Sequence, residues 1–362
     1  MNIGRKFFSA IDFITLVPVL VLVALGLVTL FSLDHESFNS QVIFTIFSLA
    51  AFVLAINTNP NALKHYDVPI YIVSIVLFAI VLILGIESRG SVRWIEIFGV
   101  RIQFSEVLKP FLAVSLASYL SEVKSTSLKN FLQILLLLAP IFILIFLQPD
   151  LGNALIYAGV AVLALLIYGF PLKYFVSGFL LWLVSFPLLW FFLHDYQKQR
   201  LLTFINPSQD PLGTSYNAIQ SVIAVGSGMI MGKGLGQGTQ STLRFLPEHH
   251  TDFIFATISE NLGFIGSGIV ILAFCFLLYR IYVTFVTSED AFSKNYALIV
   301  FLLIFIHFFM NVGMNLGIVP IVGVTLPFVS SGGSSLLSNF IMIGLLFAVG
   351  KSSSRKKVLE IG

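Results

Sequence analysis

Apolar runs long enough to cross a lipid bilayer recur from one end of this chain to the other, and nothing constrains its fold more. A bilayer core takes roughly 20 apolar residues per helix. On that rule ten spans are expected, near residues 13–32, 42–56, 68–86, 104–120, 131–146, 153–169, 174–193, 262–283, 296–319 and 334–349. Of the 362 residues, 57% are hydrophobic and only 10% are charged. Soluble domains run near a quarter charged, so a soluble fold is excluded. The predicted fold class is all-α: one polytopic membrane domain over residues 1–362, of about ten helices. Arg5 and Lys6 precede a first apolar run that lacks a small-residue cleavage pattern, and it reads as a retained span. The lone cysteine, Cys275, rules out an internal disulfide, and a net charge of +3 gives no reason to expect nucleic-acid binding.

An even number of spans puts both termini on one side, and the basic residues indicate which. With the N-terminus inside, the inner segments and adjoining span ends hold 12 of the 20 lysines and arginines, Lys64, Lys124, Lys129 and Lys173 among them. The short outer segments 34–40, 148–152 and 320–333 hold none. Long loops count little in the positive-inside rule, so both ends are expected in the cytoplasm. The inner loops are short, whereas residues 195–261 form one large extracellular loop between spans seven and eight. Loops of that length are usually functional.

Several polar groups stand where they are costly. Glu106 and Lys109, three apart in the fourth span, share a helical face. They read either as an ion pair at the outer helix end or as a pair lining a cavity, with Arg101, Gln103 and Ser105 concentrating polarity nearby. Asn311 and Asn315, at i,i+4 in the ninth span, read as interhelical hydrogen-bond glue. The hydroxyl- and glycine-rich run Ser330 to Ser335 reads as helix capping, with anion binding as the alternative.

In the long loop, six glycines between 226 and 238 invite a nucleotide-loop reading that fails. Ser227 stands where the P-loop needs its first glycine, and Gly234 where Ser or Thr must follow Lys233. The glycines are expected to permit tight turns and close backbone approach instead. Adjacent His249 and His250 form no metal-ligand spacing. Glu248 and Asp252, four apart, precede Phe253-Ile254-Phe255 at the approach to the eighth span. Two readings are open: Thr251 and Asp252 cap and complement a helix N-terminus, or Asp252 is a carboxylate base beside a membrane cleft. Lys198, Arg200, Lys233 and Arg244 are either solvated charges or, beside such a base, holders of a diphosphate.

These segments together resemble a known family. Asp210-Pro211-Leu212-Gly213, Gly238-Thr239-Gln240-Ser241, Phe245 to Phe255, Leu326 to Ser335, Arg101 to Glu106 with Lys109, and Gln148-Pro149-Asp150-Leu151-Gly152 are similar, in order and spacing, to the motifs of the SEDS family. These are the shape, elongation, division and sporulation polymerases of the bacterial cell wall. The Gly238 to Ser241 run and the short tails look most like its elongation branch (RodA-like), with the FtsW-like division branch second.

The resemblance implies a peptidoglycan glycosyltransferase of the bacterial cytoplasmic membrane. It would polymerise lipid II at the outer leaflet, with Asp252 as general base and undecaprenyl diphosphate as leaving group. Glu106 and Lys109 would support the cavity, with Glu248 beside them, and Arg101 and Arg200 would contact diphosphate; Gln103 and the loop cations Lys233 and Arg244 join them as substrate-contact candidates by place and charge. A class B penicillin-binding protein is the implied partner, alongside lipid II and membrane lipids. No nucleotide or other cofactor is implied, and a divalent cation is left open. Departures occur at Ser331, where the family usually has Tyr, at Asn261, where it has Glu, and at Asn153, where Thr or Ser is common. The competing reading is a transporter that flips lipid II or another polyprenyl-linked sugar.

Overall fold

With no water to satisfy them, backbone groups in hydrocarbon must bond within their own segment, so each apolar run closes on itself as a helix. The computed structural model describes residues 12–88, 91–97, 99–193, 195–206 and 215–360; Arg5, Lys6 and the Asp210 to Gly213 motif lie outside them. The chain begins with α1 (Phe13–Leu33), α2 (His35–Ile56), the short α3 (Pro60–His65) and α4 (Asp67–Leu84). After the strands come α5 (Phe104–Val107), α6 (Lys109–Glu122), α7 (Leu128–Leu147), α8 (Leu151–Tyr168) and α9 (Leu172–Phe192). The expected loop carries α10 (Asp195–Ile205), α11 (Tyr216–Ser227) and α12 (Thr239–Thr242). Finally come α13 (Ile254–Thr287), α14 (Ala291–Asn315) and α15 (Gly333–Glu360).

Among the described residues, eight of these helices are long and apolar enough to span a membrane: α1, α2, α4, α7, α8, α13, α14 and α15. The other two expected spans fall on α9, whose apolar stretch is shorter, and on the region from 104 to 120. That fourth region is broken at Leu108. Pro110 has no N–H to continue the hydrogen-bond ladder, so the helix restarts as α6 with the proline in its first turn. Helices α14 and α15 form the centre of the bundle, with 67% and 78% of their apolar stretches buried, against 17% for α4 at the periphery.

The fold is mostly helical, as expected, with one small sheet added to it. Between α4 and α5 the chain forms a three-stranded antiparallel meander, β1 (Ile86–Ser88), β2 (Ser91–Ile97) and β3 (Val100–Gln103). Trp94 pairs with Gln103 and Glu96 with Arg101, and Gly99 turns the chain at positive φ. The cross-strand pair of Arg101 and Glu96 is 3.5 Å apart. The third span therefore ends at Leu84, and β3 delivers Gln103 directly to α5.

Helix α13 starts eight residues before the expected span and is interrupted at Gly263, whose φ of 65° and ψ of −157° are not helical. Such a break leaves carbonyls before it and N–H groups after it without helical partners. A glycine-rich strap supplies them. The Lys233 and Gly234 N–H groups donate to the Glu260 and Asn261 carbonyls (both 3.0 Å), and Phe264 N–H donates to the Met229 carbonyl at 2.8 Å. The expected close approach is met at Gly228, where a Cβ would overlap the Ser259 carbonyl oxygen, while a Cβ at Gly226 would meet open space.

Opposite effects of one chemical change follow. Gly228→Ala is expected to destabilise by about 1–3 kcal/mol, the usual cost of overpacking. Gly226→Ala, inside α11, should leave stability unchanged or raise it by up to about 1 kcal/mol. Thermal unfolding of the two purified variants checks this, and equal melting temperatures would contradict it.

Candidate active site

The helix ends and loops at one end of the bundle converge on a polar cavity of about 300 Å³. Helix α8 begins there, α13 and α15 begin there, and β3 and the segment following α14 complete the wall.

Asp150, the residue before α8, is the hub of one side and is 1% exposed. It caps its helix by accepting from Asn153 N–H at 3.3 Å. Its Oδ2 also accepts from Gln103 Nε2, Ser105 Oγ and Asn153 Nδ2, each at 3.0 Å. Arg93 of β2 approaches its Oδ1 to 3.7 Å. The carboxylate thus ties the meander to α5 and α8. Beneath it, Glu106 lines the cavity and Lys109 Nζ lies 2.6 Å from its Oε1, both side chains buried. Of the two readings of this pair, cavity wall describes Glu106, whereas Lys109 points into the bundle toward His307 Nε2 at 2.7 Å.

Asp252 sits on the opposite wall. Its main chain is pinned from α14: Asn311 Nδ2 and Asn315 Nδ2 each donate to the Asp252 carbonyl at 3.0 Å. Asn311 also donates to the Val324 carbonyl at 2.7 Å, and Asn315 Oδ1 accepts from Ala256 N–H at 3.0 Å. The two asparagines are indeed glue between segments, and what they hold is the backbone of Asp252. The capping alternative does not describe Thr251. Phe253 occupies the N-cap of α13 without a side-chain cap bond, and Thr251 Oγ1 donates to Glu248 Oε2 at 3.1 Å. Glu248 lines the cavity in left-handed backbone geometry, at φ 54°.

Gly323, at φ 69°, lets the segment after α14 pass against Asp252. A Cβ there would lie 3.3 Å from Asp252 Oδ2 and 3.8 Å from Arg200 Nη1, so the acid and this guanidinium flank one point. Below it, the serine run serves as a set of latches. Ser330 Oγ donates to the Thr251 carbonyl at 2.7 Å and accepts from Leu326 N–H at 2.8 Å. Ser334 Oγ accepts from Gln103 N–H at 3.0 Å, and Ser331 N–H donates to the His250 carbonyl at 2.9 Å.

Of the residues expected at the site, Arg101, Gln103, Glu106, Glu248 and Asp252 line the cavity, and Arg200 stands at its edge. Lys233 and Arg244 do not line it. Lys233 pairs with the buried Glu260 at 3.2 Å, and the same carboxylate accepts from Gln240 N–H and from Ser241 N–H and Oγ. Its charge is matched inside the strap. Arg244 is exposed on the turn after α12, at φ 56°. His249 is buried, with Nδ1 3.2 Å from the Leu246 carbonyl; burial first, and then the neighbouring His250, push its pKa below the ordinary imidazole value. Among the described residues, no group of three or more His, Cys, Asp or Glu could hold a metal ion.

Sequence reasoning gave no site role to Asp150 or Asn153, though both stand in or beside a family-like segment, and passed over Arg93 and Thr325 on the cavity side and His307 behind it. Two signals were available. Asp150 and Asn153 have the spacing of an N-cap and its third residue, and His307 stands four before Asn311 on the same face of a span.

The profile of the FtsW/RodA/SpoVE cell cycle proteins matches residues 5–355 of this chain. The chain belongs to that family. Among its relatives in the FtsW/RodA/SpoVE family, the peptidoglycan glycosyltransferase MrdB of Escherichia coli K12 is 35% identical over 303 residues, 83% of this chain and 82% of that protein. The protein named probable peptidoglycan glycosyltransferase FtsW of Geobacter metallireducens is 34% identical over 367 residues, 96% of each chain. Stage V sporulation protein E of Bacillus subtilis is 32% identical over 365 residues, covering 94% of this chain and 97% of that one. The fold agrees. A chain from a peptidoglycan synthase complex described as coordinating polymerization and crosslinking superposes with a TM-score of 0.83 at 27% identity, covering 94% of this chain and 98% of its own. Rod shape determining protein RodA of Thermus thermophilus gives 0.72 at 24% identity, covering 94% and 97%. Family and apolar helices together make this FtsW/RodA/SpoVE member a multi-pass membrane protein.

Proposed function

We propose that this chain, a peptidoglycan glycosyltransferase of the FtsW/RodA/SpoVE family, polymerises lipid II in the cavity walled by Asp252, at the outer face of the bacterial cytoplasmic membrane during cell elongation. The observation that carries the proposal is the position of Asp252: a backbone pinned by two asparagines and a carboxylate on the wall of a polar cavity, sharing the space beside Gly323 with the Arg200 guanidinium. In the proposed step Asp252 takes the proton of the acceptor sugar 4-hydroxyl. The freed oxygen attacks C1 of the donor sugar with inversion, the C1–O bond to diphosphate breaks, and undecaprenyl diphosphate departs. The sugar–diphosphate bond supplies the driving force, so no nucleotide is consumed.

Two further features support a lipid-linked polar substrate. The cavity wall is rich in polar side chains, Arg93, Arg101, Gln103 and Asn153 among them, which suit the phosphate and hydroxyl groups of such a substrate. From the Arg200 edge an apolar groove of about 350 Å³ runs between Phe204, Val222, Leu316, Val319 and Ile321, matching the character of an isoprenoid tail. Lysines and arginines concentrated on the opposite segments favour an outward-facing cavity with both termini in the cytoplasm. The likeness to a chain of a synthase complex supports a class B penicillin-binding protein as partner.

Arg200→Ala is expected to lower kcat/KM for lipid II by about 10- to 150-fold, the worth of a charge-assisted hydrogen bond of about 1.5–3 kcal/mol. Steady-state kinetics checks it, and an unchanged kcat/KM would remove Arg200 from the site. The proposed activity itself is tested in proteoliposomes holding the purified chain, its transpeptidase partner and fluorescent lipid II. Glycan polymer is the expected product. Lipid II that crosses the bilayer and stays monomeric would favour the transporter reading instead.

A further inference from the structure

Helix α14 carries three buried polar side chains four residues apart, His307, Asn311 and Asn315, exposed by 4%, 0% and 0%. Residues at that spacing share one helical face. The two asparagines hold Asp252 and Val324 by their main chains, as described. His307 continues the same row one turn further into the bundle. Its Nδ1 is 3.3 Å from the Thr325 carbonyl and its Nε2 is 2.7 Å from Lys109 Nζ.

The chemistry of these neighbours assigns the ring tautomer. A lysine ammonium has hydrogens to give and no lone pair, and a carbonyl has only lone pairs. Nε2 must therefore accept from Lys109, and Nδ1 must carry the proton that goes to Thr325. Only the neutral imidazole with its hydrogen on Nδ1 satisfies both contacts. The same ring thus touches the Glu106–Lys109 pair on one side and, on the other, the segment whose Gly323 abuts Asp252. Thr325 itself lines the cavity, its Oγ1 2.9 Å from Ser335 Oγ.

We infer that His307 is a positioning residue: through its two ring nitrogens it fixes the intramembrane Glu106–Lys109 pair and the 323–325 segment relative to each other, and so holds the cavity floor against Asp252. It touches no substrate in this scheme. Its effect on turnover rests on the polymerase reading, but the hydrogen-bond arrangement does not.

Two variants and one spectroscopic signal test the inference in the full-length chain. Glutamine can accept from Lys109 through its carbonyl oxygen and donate to Thr325 through its amide nitrogen; leucine fills similar space and can do neither. His307→Leu is expected to lower kcat for lipid II polymerisation by about 10- to 100-fold, the scale of a small misplacement at a reacting centre, with KM within about twofold. His307→Gln is expected to recover kcat to within about threefold of wild type. A purely structural role would instead show as loss of folded protein in both variants, or as wild-type kcat in whatever leucine variant folds, and either result overturns the inference. Independently, ring-nitrogen NMR of histidine-labelled protein, assigned with His307→Gln, should find His307 protonated on Nδ1 alone near pH 7, the minority form of free histidine. A signal from the Nε2-protonated ring or from imidazolium overturns the inference. A wild-type chain that makes no polymer would sink the polymerase reading, and the ring-nitrogen signal then decides this inference by itself.

Discussion

Lys109→Met should cost the fold about 3–5 kcal/mol, because it strips the counter-charge from a carboxylate that has nowhere to go. The side chains of Lys109 and Glu106 are 2% and 7% exposed and 2.6 Å apart. Methionine matches the lysine stem in length and cannot supply a proton to Glu106 Oε1 or to His307 Nε2. Buried polar groups without partners are the costly outcome, more than the absence of the pair. The double replacement Glu106→Gln with Lys109→Met should therefore be better tolerated than Lys109→Met alone, and the two effects should be far from additive. Thermal unfolding in detergent, read beside turnover, checks both statements. If the single variant melts with the wild type, the pair is not holding this region together.

Asp252→Asn should leave the fold intact and remove the chemistry. The bonds from Asn311 and Asn315 go to the Asp252 carbonyl, not to its side chain, so an amide at this position leaves the main chain pinned. What disappears is the proton acceptor, and a positioned general base is worth about 10²–10⁴-fold. The expected loss is of that size in kcat, with KM within a few fold and the melting temperature close to wild type. Asp252→Glu should also be impaired, because the carboxylate is confined beside Gly323 and one added methylene displaces it. A variant that melts early would move Asp252 from the reaction to the scaffold.

How much of this could be read from the residues differs sharply by element. The long apolar runs were legible because lipid leaves the backbone only one economical arrangement, and α1, α7, α8 and α14 begin and end within a few residues of expectation. The meander was not legible. Its outer strands are only three and four residues long and are squeezed between two apolar runs, too short for the alternation of β2 to stand out.

The start of α13 was hidden for a different reason. Thr257, Ser259, Glu260 and Asn261 look too polar for a span; the returning strap partners Glu260 and Asn261, while Thr257 and Ser259 bond the His249 and Phe255 carbonyls. That same strap explains where Lys233 lies: its counter-charge is 27 residues away in sequence and meets it only once the helix breaks at Gly263. At the site, Glu106, Asp252 and Arg101, carried by resemblance, line the cavity and Arg200 borders it, whereas Lys233 and Arg244, taken up for their charge, do not line it. Position in a loop says that a cation is available, and the fold decides what it faces.

The central claim is that glycan strands are made at Asp252, and the direct measurement is product formation from lipid II by the purified chain with its transpeptidase partner, wild type beside Asp252→Ala. The account predicts a ladder of glycan products from the wild type that a muramidase degrades, and only unreacted lipid II from an equally well-folded Asp252→Ala. Ladders of similar yield from both proteins would contradict it.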